Sequence, residues 1–430
     1  MFPADHAPFS RRLFIRQGLT LASLTATVPA FIHQSALGMM LPLGSAVSSR
    51  PGVPEDRVLV IVQLAGGNDG LNTVIPYGDR AYYNLRPSIG IAEPGRGDQA
   101  ALQLDAGQGL GLHPNMAAFK SLIDDGVASV IQGVGYPNPN RSHFASTDIW
   151  ETARLDGKGN GWIGRYFDCT CNGTPMPEGA VAIGRTAPLA MMGSVQKPVS
   201  FESAELFRWI GEDLHPALED PYQALNRAGV VGDAKDDSQA AFLMRTALDA
   251  QVSSDRIRAA VAKTPLVSYP QTNLARQLRT VAAMVRDGMP TRVYYVSLSG
   301  FDTHAGQPGT HGNLLRQLAE ALQAFQRDLK AQGNSGRVLT MVFSEFGRRA
   351  RQNASQGTDH GTAAPMFLVG DMVEPGVRGE HPSLTRLDGG DLVYTLDFRS
   401  VYAGILEDWM GAAADPILGG QFRKARILRT

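Results

Sequence analysis

Two cysteines among 430 residues, Cys169 and Cys171, are too few for a disulfide framework, and a bridge across one intervening residue would be strained. They read as incidental loop thiols rather than as a redox or zinc pair. Charge of one sign is also missing: 40 basic residues face 41 acidic ones, and the formal net charge is −1. No long basic run occurs, so neither nucleic acid nor an anionic membrane is an expected partner. No apolar run is long and clean enough for a stable membrane span. Repeats are absent, and low complexity is confined to the N-terminal leader. What remains is 43% hydrophobic residues and 47 glycines, the composition of a loop-rich globular protein. The length suits one large α/β domain or two ordinary ones.

The N-terminus carries a targeting signal. Ser10-Arg11-Arg12-Leu13-Phe14-Ile15 matches the twin-arginine export pattern, and a mild apolar run follows from Leu19 to about Ile32. Thr20, Ser23, Thr25, Thr27 and Pro29 make that run too polar and short to remain in a bilayer. Residues 1–50 are therefore read as signal peptide and leader, with the twin-arginine translocase as a partner during export. The mature protein is expected in the periplasm or outside the cell. Residues 51–430 are expected to form a single α/β domain with a mainly helical insertion at about 165–270.

Along that domain one device recurs: an apolar strand beside a polar residue suited to bind a cation. Val58 to Leu64 is continuously apolar but for Gln63, as in a strand buried on both faces, and runs into Gly66-Gly67-Asn68-Asp69-Gly70. A short strand from Ala128 leads through a Gly/Pro/Asn loop to Ser142, placed to cap a helix. Val293 to Leu298 precedes Ser299-Gly300-Phe301-Asp302-Thr303-His304, and Val338 to Phe343 precedes Ser344-Glu345-Phe346-Gly347-Arg348. Asp359-His360-Gly361-Thr362 stands beside the strand that begins at Ala364. Helices are expected over 114–125 and 274–289, and another through Leu314, Leu318, Leu322, Phe325 and Leu329. Ligands of open α/β sheets bind beyond the carboxyl ends of the strands, and carboxylate and imidazole donors suit zinc-like ions. Each of Asp69, Ser142, Asp302, His304, Glu345 and His360 has an ordinary explanation as a turn or cap. Together they point to a shared metal site.

Taken in order, these motifs resemble the alkaline phosphatase superfamily of phosphatases, sulfatases and cofactor-independent phosphoglycerate mutases. More closely, the Gly-Gly-Asn-Asp-Gly, Arg-Ser-His-Phe, Phe-Asp-Thr-His, Ser-Glu-Phe-Gly-Arg and Asp-His-Gly-Thr stretches resemble the exported domain-of-unknown-function 1501 (DUF1501) family, from about Val58 to Trp409. The resemblance implies a three-layer α/β/α fold, with a mostly parallel central sheet, and a two-metal site. The ions would be divalent, zinc first, with manganese or calcium as alternatives. Asp302, His304 and His360 would hold one ion, and Asp69, Glu345 and the Ser142 hydroxyl the other. Ser142 would be the metal-activated nucleophile, with Ser146 and Thr147 next in line. Arg348 or Arg141 would clamp the anion, and His143 would position or protonate a leaving group.

The chain departs from the phosphatase pattern at two points. Glu345-Phe346 stands where those enzymes commonly carry Asp-His, which removes a nitrogen ligand. His304 follows Asp302 more closely than usual, so His311 is a rival ligand. No Cys-x-Pro-x-Arg or Ser-x-Pro-x-Arg sequence occurs, which disfavours a standard sulfatase, and no Gly-x-Ser-x-Gly elbow of a serine hydrolase is present. The resemblance thus implies a metal-dependent hydrolase of phosphate or sulfate esters, acting on a small-molecule or glycan ester. The alternative is a non-catalytic periplasmic binding or assembly protein on a degenerate form of the same fold.

Overall fold

The computed structural model describes residues 56–170, 177–203 and 254–429. The leader, Cys171 and the helices expected between Ser203 and Leu248 lie outside these residues, apart from Ser203 itself. Nine strands form the central sheet: β1 (Val58–Ala65), β2 (Ala128–Gly135), β3 (Ala180–Ile183), β4 (Val199–Phe201), β5 (Val293–Ser299), β6 (Val338–Phe343), β7 (Ala364–Val369), β8 (Gly376–Arg378) and β9 (Leu396–Asp397). Their order is β8-β2-β7-β6-β1-β5-β3-β4, with β9 also beside β2. Strand β7 pairs antiparallel with both neighbours, and the other pairings in this sheet are parallel.

The continuous apolar runs follow from a sheet covered on both faces. Along β1, Val58, Val60, Val62 and Leu64 enter one core and Leu59 and Ile61 the other, as a two-residue repeat requires. The covering helices are α1 (Ala117–Asp124), α2 (His143–Thr152), α3 (Trp162–Thr170), α4 (Asn273–Arg286), α5 (Gln307–Ala331) and α6 (Phe398–Gly404). Phe119 and Leu122 of α1, Leu278 and Val281 of α4, and Leu318 and Leu322 of α5 share the first core. Trp150 of α2, Trp162 of α3 and Tyr402 of α6 share the second. The expected three-layer α/β/α architecture is present. The stretch expected as a mainly helical insertion also carries β3 and β4, which extend the sheet beyond β5.

Register brings the candidate loops to one edge. Ala65 lies opposite Ser299, and Gln63 opposite both Ser297 and Phe343, so β1, β5 and β6 finish at about the same level. His360 reaches that edge by another route. It precedes its strand, and because β7 runs backwards its first residue, Ala364, lies opposite Val134 near the end of β2.

Helix α2 carries the remaining approach to that edge and is pinned from its far end. The Trp150 ring stacks on Phe343 at 5.3 Å and on Phe398 at 4.4 Å. Removing this ring leaves a cavity that packed neighbours fill only in part. Trp150→Ala is expected to cost about 3–5 kcal/mol, read as a lower urea midpoint with an unchanged slope.

Candidate metal centre

Four side-chain atoms converge at the shared edge. His360 Nε2 stands 2.9 Å from His304 Nε2, 3.1 Å from His143 Nε2 and 3.0 Å from Asp302 Oδ1. Asp302 Oδ1 is also 3.0 Å from His304 Nε2 and 3.5 Å from His143 Nε2. Donor atoms around a tetrahedral zinc stand about 3.3 Å apart, given metal–ligand distances of roughly 2.0–2.1 Å. The donor atoms of His143, Asp302 and His360 all lie within 4.8 Å of one another, a group able to hold an ion, and His304 stands beside Asp302 and His360 outside that group.

The ring protons decide what this convergence means. His143 Nδ1 lies 2.8 Å from Glu345 Oε1, His304 Nδ1 3.1 Å from Asp359 Oδ1, and His360 Nδ1 2.9 Å from the Arg141 carbonyl. Carboxylate and carbonyl oxygens only accept, so each Nδ1 carries the hydrogen and each neutral ring turns a bare Nε2 lone pair inward. Three such lone pairs and an anionic oxygen facing one another repel unless a cation or a proton lies among them. The residues present therefore fit a divalent metal, and Glu345, Asp359 and the Arg141 carbonyl supply the outer oxygens that orient metal-bound histidines. Burial works to raise the Asp302 carboxyl, but the hydrogen bond and positive charge of Arg348 outweigh it and hold it at about 2. Asp302 is thus a carboxylate at any physiological pH.

Local backbone chemistry explains the precision. The Arg348 side chain, fully buried, donates from Nε to the Gly67 carbonyl at 2.7 Å and from Nη1 to the Thr358 carbonyl at 2.9 Å. Its Nη2 reaches the carbonyls of Gly66 and Phe301 and the Asp302 carboxylate, the last at 2.7 Å. One guanidinium thus ties together the loops after β1 and β5 and the loop before β7. Gly66 and Gly67 make the close approach feasible. A Cβ on Gly66 would stand 2.4 Å from the Asp302 amide nitrogen, one on Gly67 2.3 Å from the Phe346 ring, and both residues have positive φ.

The structure regroups the residues expected from sequence. Asp302, His304 and His360 lie together at one edge, and His143 Nε2 stands 3.1 Å from His360 Nε2, which makes it a further candidate donor. Its signal was its place beside Ser142 at the mouth of a helix that starts at the ligand edge. Glu345 is nearly wholly buried, and its Oε1 accepts from the Gly66 amide at 2.8 Å as well as from His143. It orients a ligand instead of forming part of a second ion site. Asp69 is captured elsewhere: its Oδ2 lies 2.5 Å from Arg86 Nη1 in a fully buried ion pair and also accepts from Gln307. Arg348 has no exposed donor left to clamp an anion, whereas the Arg141 side chain pairs with Asp391 through Nη2 and remains about half exposed. His311 is buried with Nε2 2.9 Å from Asn68 Oδ1, and desolvation pushes it down to about 4. It is a neutral core histidine and no rival to His304. Asp359, beside His360 in sequence, faces His304 Nδ1, and residue type and position alone do not mark an acid that orients another residue's ring.

Ser142 occupies the N-cap position of α2 as expected, but its side chain makes no capping hydrogen bond. The segment is set instead by Asn140, whose Oδ1 accepts from the Ser142 amide at 2.8 Å. Ser146 is committed to the Glu345 carbonyl and the Tyr136 hydroxyl, which withdraws it as a substitute nucleophile.

Three outcomes are expected. Glu345→Gln and Asp359→Asn should each weaken metal binding by about 10–100-fold in chelator competition, as loss of an outer partner does. Asp69→Ala strands a buried guanidinium and should cost about 3–5 kcal/mol in urea unfolding, with metal content per folded chain unchanged. Burial alone would raise the Asp69 carboxyl, but Arg86 overrides it and holds it below its ordinary 3.8. A folded-state value below the unfolded one means that this stabilisation is complete above about pH 4 and is lost as pH falls through the folded-state value. The destabilisation by Asp69→Ala should therefore shrink in acid; a cost constant down to pH 2 would contradict the ion pair.

Comparison with known proteins places this geometry in context. The chain is similar to a protein in the alkaline phosphatase superfamily from Vibrio parahaemolyticus, at 8% identity and a TM-score of 0.42, covering 94% of this chain and 79% of that one. It is similar to the C-terminal periplasmic domain of EcEptC from Escherichia coli, at 10% identity and a TM-score of 0.40, covering 86% of each chain. A third likeness is to PsFucS1 sulfatase from Pseudoalteromonas sp., at 11% identity and a TM-score of 0.39, covering 89% of this chain and 78% of that one. Likenesses this distant leave activity and substrate open. No curated protein matches the chain. Residues 90–397, well over half of the sequence, match the family described as "Protein of unknown function (DUF1501)", and the chain belongs to that family.

Proposed function

We propose that this protein is an exported, metal-dependent hydrolase of phosphate or sulfate esters that works with one ion rather than two. The reading is carried by the convergence of His143, His304 and His360 Nε2 with Asp302 Oδ1. Three imidazoles and one carboxylate suit zinc or a similar first-row ion, and disfavour calcium, which takes six to eight oxygen ligands. When bound, such an ion supplies Lewis acidity, withdrawing electron density from an ester oxygen and lowering the pKa of an adjacent hydroxyl or water. Asp302 and His304 side chains are 47% and 44% exposed, so the donor set opens to solvent on one side and a substrate can reach it.

The chain's own groups then divide the work. Glu345, Asp359 and the Arg141 carbonyl hold the three rings in one tautomer. The N-terminus of α2 offers an electropositive end beside the cluster, where an anionic ester is stabilised. The Ser142 hydroxyl, with no capping duty, is the nucleophile of this reading. The twin-arginine pattern at Ser10–Ile15 supports a reaction in the periplasm or outside the cell.

A binding or assembly role is the second reading, and one observation favours it. If all four donors bound the ion they would close a tetrahedral shell, which is the pattern of structural zinc sites rather than catalytic ones.

Elemental analysis of the exported protein, paired with assays on p-nitrophenyl phosphate, bis(p-nitrophenyl) phosphate and p-nitrophenyl sulfate, separates the two. The hydrolase reading expects about one ion per chain and turnover that falls on the order of 10³-fold or more in Ser142→Ala, with the ion retained. Two ions per chain would restore the two-metal arrangement. One ion with no turnover of any ester would establish the second reading.

A further inference from the structure

A cavity of about 400 Å³ lies against the cluster, within the roughly 300–1,000 Å³ typical of small-ligand pockets. Two residues belong to both. Phe346 lines the cavity, and its ring centroid stands 4.9 Å from those of His143 and His360. Arg141 also lines it, while the Arg141 carbonyl orients His360. The cavity is therefore one residue removed from the donor atoms.

A short hairpin forms another wall, with Leu387 paired to Leu392 and Asp388 to Asp391. It is fastened rather than loose. Asp391, almost wholly buried, receives Arg141 and, at 3.2 Å, Arg349 Nε, while the Thr362 hydroxyl donates to the Leu392 carbonyl. The shape of the cavity is thus set before any ligand arrives.

Its lining selects by chemistry. Tyr394, partly exposed, presents aromatic surface, and Phe346 and Leu392, nearly wholly buried, complete the apolar lining. Asp391 draws both Arg141 and Arg349, and Asp388 adds a second carboxylate, so the acids and arginines around the cavity balance and offer no net charge to a charged ligand; among the described residues the exposed Asp388 carboxylate enters no ion pair. A free carboxylate accepts hydrogen bonds from hydroxyls and repels a second anionic group. Aromatic walls pack against the apolar face of a ring whose edges carry polar groups. Nucleotides and polyphosphates, anionic at several points, fit this lining poorly.

We propose that the cavity holds the alcohol half of the ester and that this half is an uncharged sugar ring. This assignment rests on the ester-hydrolase reading for its purpose, but the pocket can be tested without turnover. Saturation-transfer NMR on the full mature protein, with glucose, galactose, N-acetylglucosamine and glucuronate as probes, reads binding directly. At least one uncharged sugar is expected to bind, and glucuronate to bind more weakly. Asp388→Ala and Tyr394→Ala should each weaken the best sugar by about tenfold, with thermal unfolding reporting that both variants are folded. His304→Ala, whose side chain does not line the cavity, should lose the ion and keep the sugar. No binding by any sugar, glucuronate preferred over the neutral sugars, or binding indifferent to both cavity variants would overturn the proposal. Sugar binding without hydrolysis of any ester would support the pocket and refute the hydrolase reading. Hydrolysis of aryl esters without sugar binding would do the reverse.

Discussion

The site depends on one buried guanidinium. Arg348 donates to carbonyls of Gly66, Gly67, Phe301 and Thr358 and to the Asp302 carboxylate, so three loops from separated parts of the chain share a single fork. A buried charge is costly unless it is paired and its donors are satisfied, and here they are. The planar fork also fixes direction, which a lysine ammonium would not. Holding Asp302 by the same group that holds the backbone around it sets the carboxylate oxygen where the imidazoles converge. The residue that reads from sequence as a substrate clamp is instead the tie that makes the ligand geometry reproducible.

The cluster is built to be incomplete without a cation. Each histidine spends its single proton on an outer oxygen, leaving lone pairs that face one another at about hydrogen-bond distance. Ion binding relieves that repulsion, so metal affinity and the stability of these loops are expected to rise together. The ligand on α2 is steadied from a distance. Trp150 stacks between Phe343 and Phe398, and the next residue, Glu151, accepts from the Tyr295 hydroxyl on β5 at 3.3 Å. Burial pushes the Glu151 carboxyl up to about 7, so helix and sheet meet through a group that is costly to charge. This packing holds His143 against the strand ends that supply the other donors.

The difference between one ion and two comes down to where charges are captured. Asp69 leaves β1 at the ligand edge, yet Arg86 draws it into a buried pair, and Glu345 turns to His143 and the Gly66 amide. Phe346, in the place of a nitrogen ligand, packs against His143 and His360 and lines the neighbouring cavity. An apolar ring there offers no donor to an ion, and it lines the neighbouring cavity.

Much of the fold was legible in the chain itself. Continuous apolar strands such as Val58–Leu64 and Val338–Phe343 can lie only in a sheet covered on both faces, and the spacing of Leu314, Leu318, Leu322 and Phe325 sets one covering helix. Asp302, His304 and His360 were legible as donors because residue type and position beside a strand are local properties. Three matters were not local. The antiparallel course of β7, which alone brings His360 to the edge, is a choice of sheet pairing. The promotion of His143 over Ser142 depends on which side chain the α2 mouth turns inward, and the loss of Asp69 depends on an arginine 17 residues away. Sequence by itself determined which groups can bind a metal and that strand ends would present them; tertiary structure decided which of them meet, because convergence is set by register, strand direction and the competition of buried charges for partners.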